Sequence, residues 1–354
     1  MSLIRSSSHS RSDSNAVSAA SRLGHAARIS AVLSLALASC GLDPDDDTAA
    51  PDEAAAASDL VDPAAADPTS YQAALTHPAY VRTPAGLKHR DCVTELSEDA
   101  TIADDGTVTR ADGRQDRLGP CSHPSFAARA ADARVAGAEA AAGEVPSVNG
   151  WIIASWWDAP TWVRRLYENF TVPANPAANG AVVFLFPSFE GIGGSGSIVQ
   201  PVLQWGNNGA FGGNYWTIAS WYVWGSNSVH SAPIRVRAGD FLWGGLEASD
   251  CQANGTHCSW MITTRSRDLG RSTAIRIRGA TQYRSVQGGV LEVYDLTGCD
   301  QLPASRAVRF AGLQVFNGAL HRVPPNLRMA RFDTLCRVTE TDSATATTIS
   351  WSSF

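Results

Sequence analysis

From residue 149 onward the chain is a succession of short apolar or alternating runs broken by Gly, Pro and Asn, with no long amphipathic helical stretch. The runs fall at 151–157, 166–172, 181–187, 197–204, 215–224, 233–237, 240–247, 259–264, 273–278, 290–296, 307–315 and 344–351. About a dozen short strands at this spacing restrict the fold to an all-β antiparallel sandwich. Ile275 and Ile277 alternate with Arg276 and Arg278, the period of a strand with one buried face. No internal repeat is visible. With 354 residues, 44% of them hydrophobic, the chain can bury a large core and still carry accessory segments.

The segments before residue 149 have a different character. Residues 1–39 read as an export signal: Arg5, Arg11, Arg22 and Arg28 precede an apolar run, 29–39, too short to cross a bilayer. Leu37-Ala38-Ser39-Cys40 resembles the lipobox of bacterial lipoproteins, which implies a lipid on the Cys40 thiol and a place in the cell envelope, at the outer rather than the inner membrane. Residues 40–75 hold nine acids among Ala and Pro, with no Lys or Arg, and read as a disordered tether. Residues 76–125 read as a small β module closed by a disulfide, and 126–148 as an Ala-rich linker or helix. The sandwich occupies 149–354.

Charge and cysteine use narrow the function. The chain has 28 basic and 34 acidic residues; setting aside the four arginines and Asp13 before Cys40, and nine acids of the tether, leaves 24 of each. A neutral folded part argues against nucleic acid as a partner. Cys92, Cys121, Cys251, Cys258, Cys299 and Cys336 form an even set in an exported chain, which favours disulfides over a metal site. Pairing in sequence order, 92–121, 251–258 and 299–336, brackets a turn or local module each time. The eight histidines show no metal-ligand spacing, so neither metal nor cofactor is expected. His-Glu-x-x-His, Gly-x-Ser-x-Gly and a phosphate loop with Lys are all absent, and the glycine-rich stretch 191–197 runs into a strand.

What remains is a carboxylate and glutamines on strands. Glu292 lies inside the run Val290-Leu-Glu-Val-Tyr-Asp-Leu296, and an unpaired buried charge is costly enough that it is paired, at a rim, or kept for chemistry. Asn169-Phe-Thr-Val-Pro173, Phe189-Glu190-Gly191, Ile198-Val-Gln200, Leu203-Gln204-Trp-Gly206, Ser220-Trp-Tyr-Val-Trp224, Ala238-Gly-Asp240, Val290-Leu-Glu292, Leu302-Pro303 and Val308-Arg-Phe310 follow one another in a fixed order. In that order they resemble motifs of the eqolisin-type glutamic peptidases, acid endopeptidases built on a concanavalin-like sandwich.

The resemblance implies a polypeptide substrate, with Glu292 as general base and acid and the amide of Gln200 or Gln204 as donor to the oxyanion. Gln200 matches the Ile-x-Gln pattern and Gln204 the Gln-x-Gly pattern; four residues apart on a strand, they share a face. Two departures are plain: the family's motif has two glutamates where this chain has Glu292 alone, and Val223 stands where the family has a glutamate. Trp221, Tyr222, Trp205 and Glu190 are the expected lining of the cleft. The alternative is a non-catalytic surface protein that binds a glycan or peptide through its many tryptophans.

Overall fold

The computed structural model describes residues 66–127, 148–191, 197–252, 257–280 and 282–352. All of them belong to one compact unit, Leu60–Phe354. The expected signal segment, Cys40 and the Ala-rich stretch 128–147 lie outside the described residues. After a short helix, α1 (Tyr71–Thr76), come β1 (Tyr80–Thr83), β2 (Gly86–His89), β3 (Val93–Leu96), β4 (Thr101–Ala103), β5 (Thr107–Thr109), β6 (Gln115–Arg117) and β7 (Phe126–Ala127). Next are β8 (Val148–Thr171), β9 (Val182–Glu190), β10 (Ser197–Asn207), β11 (Gly212–Trp224), β12 (Asn227–Ser231), β13 (Ile234–Val236) and β14 (Phe241–Ser249). The chain continues with β15 (Cys258–Ser266), β16 (Arg271–Ala280), β17 (Tyr283–Leu296), β18 (Ala307–Asn317) and β19 (Arg322–Val323). It ends with β20 (Arg328–Arg331), β21 (Thr339–Ser343) and β22 (Ala346–Ser350).

The fold is the expected all-β sandwich. One sheet runs β11-β10-β9-β17-β8-β20 and the other β22-β18-β8-β14-β15-β16. Strand β8 belongs to both. The expected strands 151–157 and 166–172 are its two halves, bent where Ala159-Pro160 interrupts the ladder: the first half pairs with β17 and the second with β14. A strand that bends from one sheet into the other makes a corner of the sandwich.

The space between the sheets is filled by clusters that include Ile153, Leu185, Leu203, Phe170, Leu242 and Phe310. The second sheet shows the alternation read from the sequence, with β15 and β16 burying every other residue. The first sheet does not. Every residue of β9 (Val-Val-Phe-Leu-Phe-Pro-Ser-Phe-Glu) is buried, as are nearly all of β10 and β17. Both faces of this sheet are therefore covered, and the outer cover is the N-terminal segment. Tyr71, Leu75, Tyr80 and Leu87 pack on Phe184, Phe186, Val202, Trp221 and Val290 in a third apolar layer.

Two sequence-based boundaries change as a result. Residues 71–75, expected in the tether, belong to α1: Ser70 caps it by accepting from Ala73 N, and Tyr71, Ala74 and Leu75 are buried. The module expected at 76–125 is not self-contained. Strands β1, β2 and β7 form a three-stranded sheet, while β3 pairs in parallel with β12 and β4 with β16, so the module is spread along the sandwich edges. The disulfides join Cys92–Cys121, Cys251–Cys258 and Cys299–Cys336. The last closes a separation of 37 residues. Replacing both of its cysteines with Ala is expected to cost about 4 kcal/mol of stability in denaturant unfolding, the chain-entropy value for such a loop.

One core residue breaks the apolar pattern. On β8, Leu166, Glu168 and Phe170 all point between the sheets, and Glu168 is fully buried with no described hydrogen-bond partner on either oxygen. Burial pushes its pKa well above the usual carboxylate value, and the nearby Asp342 adds to the rise. Asp342 itself accepts from Ser155 Oγ at 2.7 Å and Thr347 Oγ1 at 2.8 Å.

Candidate functional site

Register places the sequence-selected residues. Gln204 lies opposite Phe184 on β9, Phe184 opposite Glu292 on β17, and Glu292 opposite Trp151 on β8. Paired residues in neighbouring strands point the same way, so Gln204, Phe184, Glu292 and Trp151 form one row on the outer face of the first sheet. Gln200, two pleats along β10, shares that face and lies opposite Trp221. Glu190, opposite Ile198 and Ser285, is on it as well. Phe184 separates Gln204 from Glu292 by two strand spacings, about 10 Å of backbone.

Alternation also removes two expected residues. Tyr222 and Trp205 are sequence neighbours of Trp221 and Gln204, so they point the opposite way and pack between the sheets. They do not line this face. Trp221 does, fully buried, with its ring against Phe211 at 5.8 Å and His230 at 4.8 Å.

Glu292 is fully buried. Tyr294, two residues on and on the same face, donates from its hydroxyl to Glu292 Oε1 at 2.6 Å, and that hydroxyl is 3.1 Å from the Thr83 carbonyl oxygen. Burial, and then the Glu292 charge, push the Tyr294 pKa well above its ordinary value and so keep its proton in place. Tyr71 is shifted upward by the same two causes. The Gln200 amide donates from Nε2 to the Pro84 carbonyl oxygen at 2.5 Å. Gln204 is differently employed. Its Nε2 is 3.0 Å from Gly206 O and 3.2 Å from Phe211 O, inside its own hairpin. The hairpin needs glycine at Gly212, where φ is +102° and an added Cβ would lie 2.6 Å from that amide nitrogen.

The sheet face thus holds a length of its own chain. Around the Thr83-Pro84 pair, Arg82 Nη2 lies 2.7 Å from Asp295 Oδ2 and Arg82 N donates to Asn208 O at 2.8 Å. Lys88 Nζ donates to Gly225 O at 2.5 Å, and burial lowers its pKa to about 8. Sequence reasoning missed Tyr294 and the covering segment. For Tyr294 the signal was present, because a residue two positions from Glu292 on a strand shares its face.

No family model and no curated protein matches the chain. Among solved structures, the chain is similar to a scytalido-glutamic peptidase crystallised with a peptide-based transition state analog: 15% identity, 57% of this chain and 98% of that one, TM-score 0.42. It is similar to SCP-B, a member of the eqolisin family in complex with the tripeptide Ala-Ile-His, at 15% identity, 57% and 98% coverage and TM-score 0.41. The aspergilloglutamic peptidase from Aspergillus niger gives 16% identity, 48% and 98% coverage and TM-score 0.33. At these scores the likeness does not assign the chain to that family.

Proposed function

We propose that the covered face is an acid peptidase site of the glutamic type, with Glu292 as general base and acid, Gln200 as oxyanion donor and Tyr294 holding Glu292. The observation that carries the reading is that two consecutive backbone carbonyls, those of Thr83 and Pro84, are met by the Tyr294 hydroxyl bound to Glu292 and by the Gln200 amide. A face that addresses peptide carbonyls in this way suits a polypeptide substrate. In the reaction, Glu292 takes a proton from water as the water oxygen adds to the peptide carbon. The oxyanion that forms accepts from Gln200 Nε2, a donor that does not titrate in acid. Glu292 then delivers the proton to the amide nitrogen as the C–N bond breaks. Another polypeptide reaches these groups only after the 80–86 segment lifts.

The two glutamines separate in a direct test. Gln200→Ala is expected to lower kcat on a denatured protein at acid pH by about two to three orders of magnitude, the usual cost of an oxyanion donor. Gln204→Ala, whose amide braces a hairpin, is expected to lower Tm and leave kcat within severalfold. The reverse pattern would reassign the donor. Export and lipid attachment belong to the same reading, motivated by Leu37-Ala-Ser-Cys40. Cys40→Ser is expected to move the protein from the membrane fraction to the soluble one, and continued attachment would refute the anchor.

The glycan-binding alternative has one observation in its favour. Trp243 stacks on Tyr167 with centroids 5.5 Å apart and lines an open groove with Asn169, Arg265 and Arg267. Most of the other tryptophans, including Trp151, Trp205, Trp216, Trp221 and Trp260, are buried and offer no platform for a sugar ring.

A further inference from the structure

The histidines look scattered along the sequence, yet the fold gathers two of them with an aspartate. Asp67, His89 and His123 each offer one ligand atom, and these atoms all lie within 4.8 Å of one another. His123 Nδ1 is 2.8 Å from Asp67 Oδ1, and the His89 and His123 rings stack with centroids 3.6 Å apart and 16° between planes. The disulfide explains the meeting. Cys92 lies three residues after His89 and Cys121 two residues before His123, so the Cys92–Cys121 bond holds the two histidine-bearing segments side by side.

The surroundings suit ligation. His89 Nδ1 lies 3.3 Å from the Asp91 backbone N–H, which orients the ring, and Tyr80 stands edge-on to it at 5.5 Å. His89 and His123 are partly open to solvent, with side-chain exposures of 12% and 29%.

We propose that Asp67, His89 and His123 form a divalent metal site of the zinc type. Two imidazole nitrogens with one carboxylate favour a borderline cation over calcium or magnesium, which take oxygen ligands. Three protein ligands leave a fourth position for water. The ion ties three separate pieces of the cover together: the chain before α1, the end of β2 and the segment before β7. The site shares no residue with Glu292 or Gln200, so its failure leaves the peptidase reading standing, and the reverse is equally true.

The test uses the full chain, stripped with a chelator and titrated with zinc chloride by calorimetry, with cobalt(II) absorption as a second readout. The expected result is one tight equivalent per chain and visible cobalt bands that zinc displaces. His123→Ala and His89→Ala are each expected to weaken binding by about a hundredfold or more, beyond the loss usual for a supporting residue. His257→Ala, at a surface histidine 3.9 Å from Asp104, is expected to change nothing. Absence of a tight equivalent in the wild-type chain, or one that survives loss of His89 and His123, would overturn the proposal. The cobalt spectrum of the wild-type protein decides the matter should either variant fail to fold.

Discussion

Glu292→Gln is expected to lower acid proteolysis by about two to four orders of magnitude, the range for loss of a general acid and base. The loss should fall on kcat rather than KM, because the amide keeps the shape of the carboxylate and still accepts from Tyr294 through its oxygen. Thermal unfolding should change little for the same reason. Tyr294→Phe gives a graded companion result. It removes the one hydroxyl that lies between Glu292 Oε1 and the Thr83 carbonyl, at 2.6 and 3.1 Å, and leaves the ring packing on Phe184 intact. A smaller loss of kcat than with Glu292→Gln is the expected outcome of steady-state kinetics on the two variants. Equal activity in all three proteins would remove Glu292 and Tyr294 from the chemistry.

The second large effect concerns stability and pH. Glu168 is fully buried, and its pKa stands well above the ordinary carboxylate value of 4.5 through burial first and Asp342 second. The folded chain therefore keeps a proton that the unfolded chain loses above 4.5. The sign follows from linkage: the contribution is fully favourable below that value and is lost as pH rises toward the folded pKa, at about 1.4 kcal/mol per pH unit. Glu340, pushed up to about 9 by burial and then by the neighbouring Asp342, carries the same sign. Denaturant unfolding across acid to neutral pH should show wild-type stability falling as pH rises, with the Glu168 share absent in Glu168→Gln. Glu168→Gln should be the more stable protein at neutral pH.

The sandwich was legible because strand period and turn residues are local. Ile275 and Ile277 against Arg276 and Arg278 already display one wet face, and the second sheet has it. The same rule, applied fully, would have placed Tyr222 and Trp205 away from the cleft, since each adjoins a residue assigned to the opposite face. The cover was not legible. Its key contact, Gln200 to Pro84, spans 116 residues, and nothing in the composition of 76–125 says which surface it meets. The continuous apolar run of residues 182–187 was the available hint, because a strand with a wet face does not carry Phe184 and Phe186 on it beside an equally apolar opposite side. Period alone puts both glutamines on one face, and they differ only in their amide partners, which the fold supplies. The histidine pair is a product of the disulfide and has no signature in spacing.

The reaction proposed for this face is hydrolysis of a polypeptide through Glu292. The most direct measurement is a side-by-side acid digestion of a denatured protein by the purified wild-type and Glu292→Gln chains. Each chain is also tested with Arg82→Ala added to free the 80–86 segment from Asp295, and the fragments are identified by mass spectrometry. The expected result is fragments from the wild-type chain, faster release with Arg82→Ala, and essentially none from either protein carrying Glu292→Gln. Undiminished fragments from Glu292→Gln, or no cleavage by the Arg82→Ala protein at any pH, would contradict it.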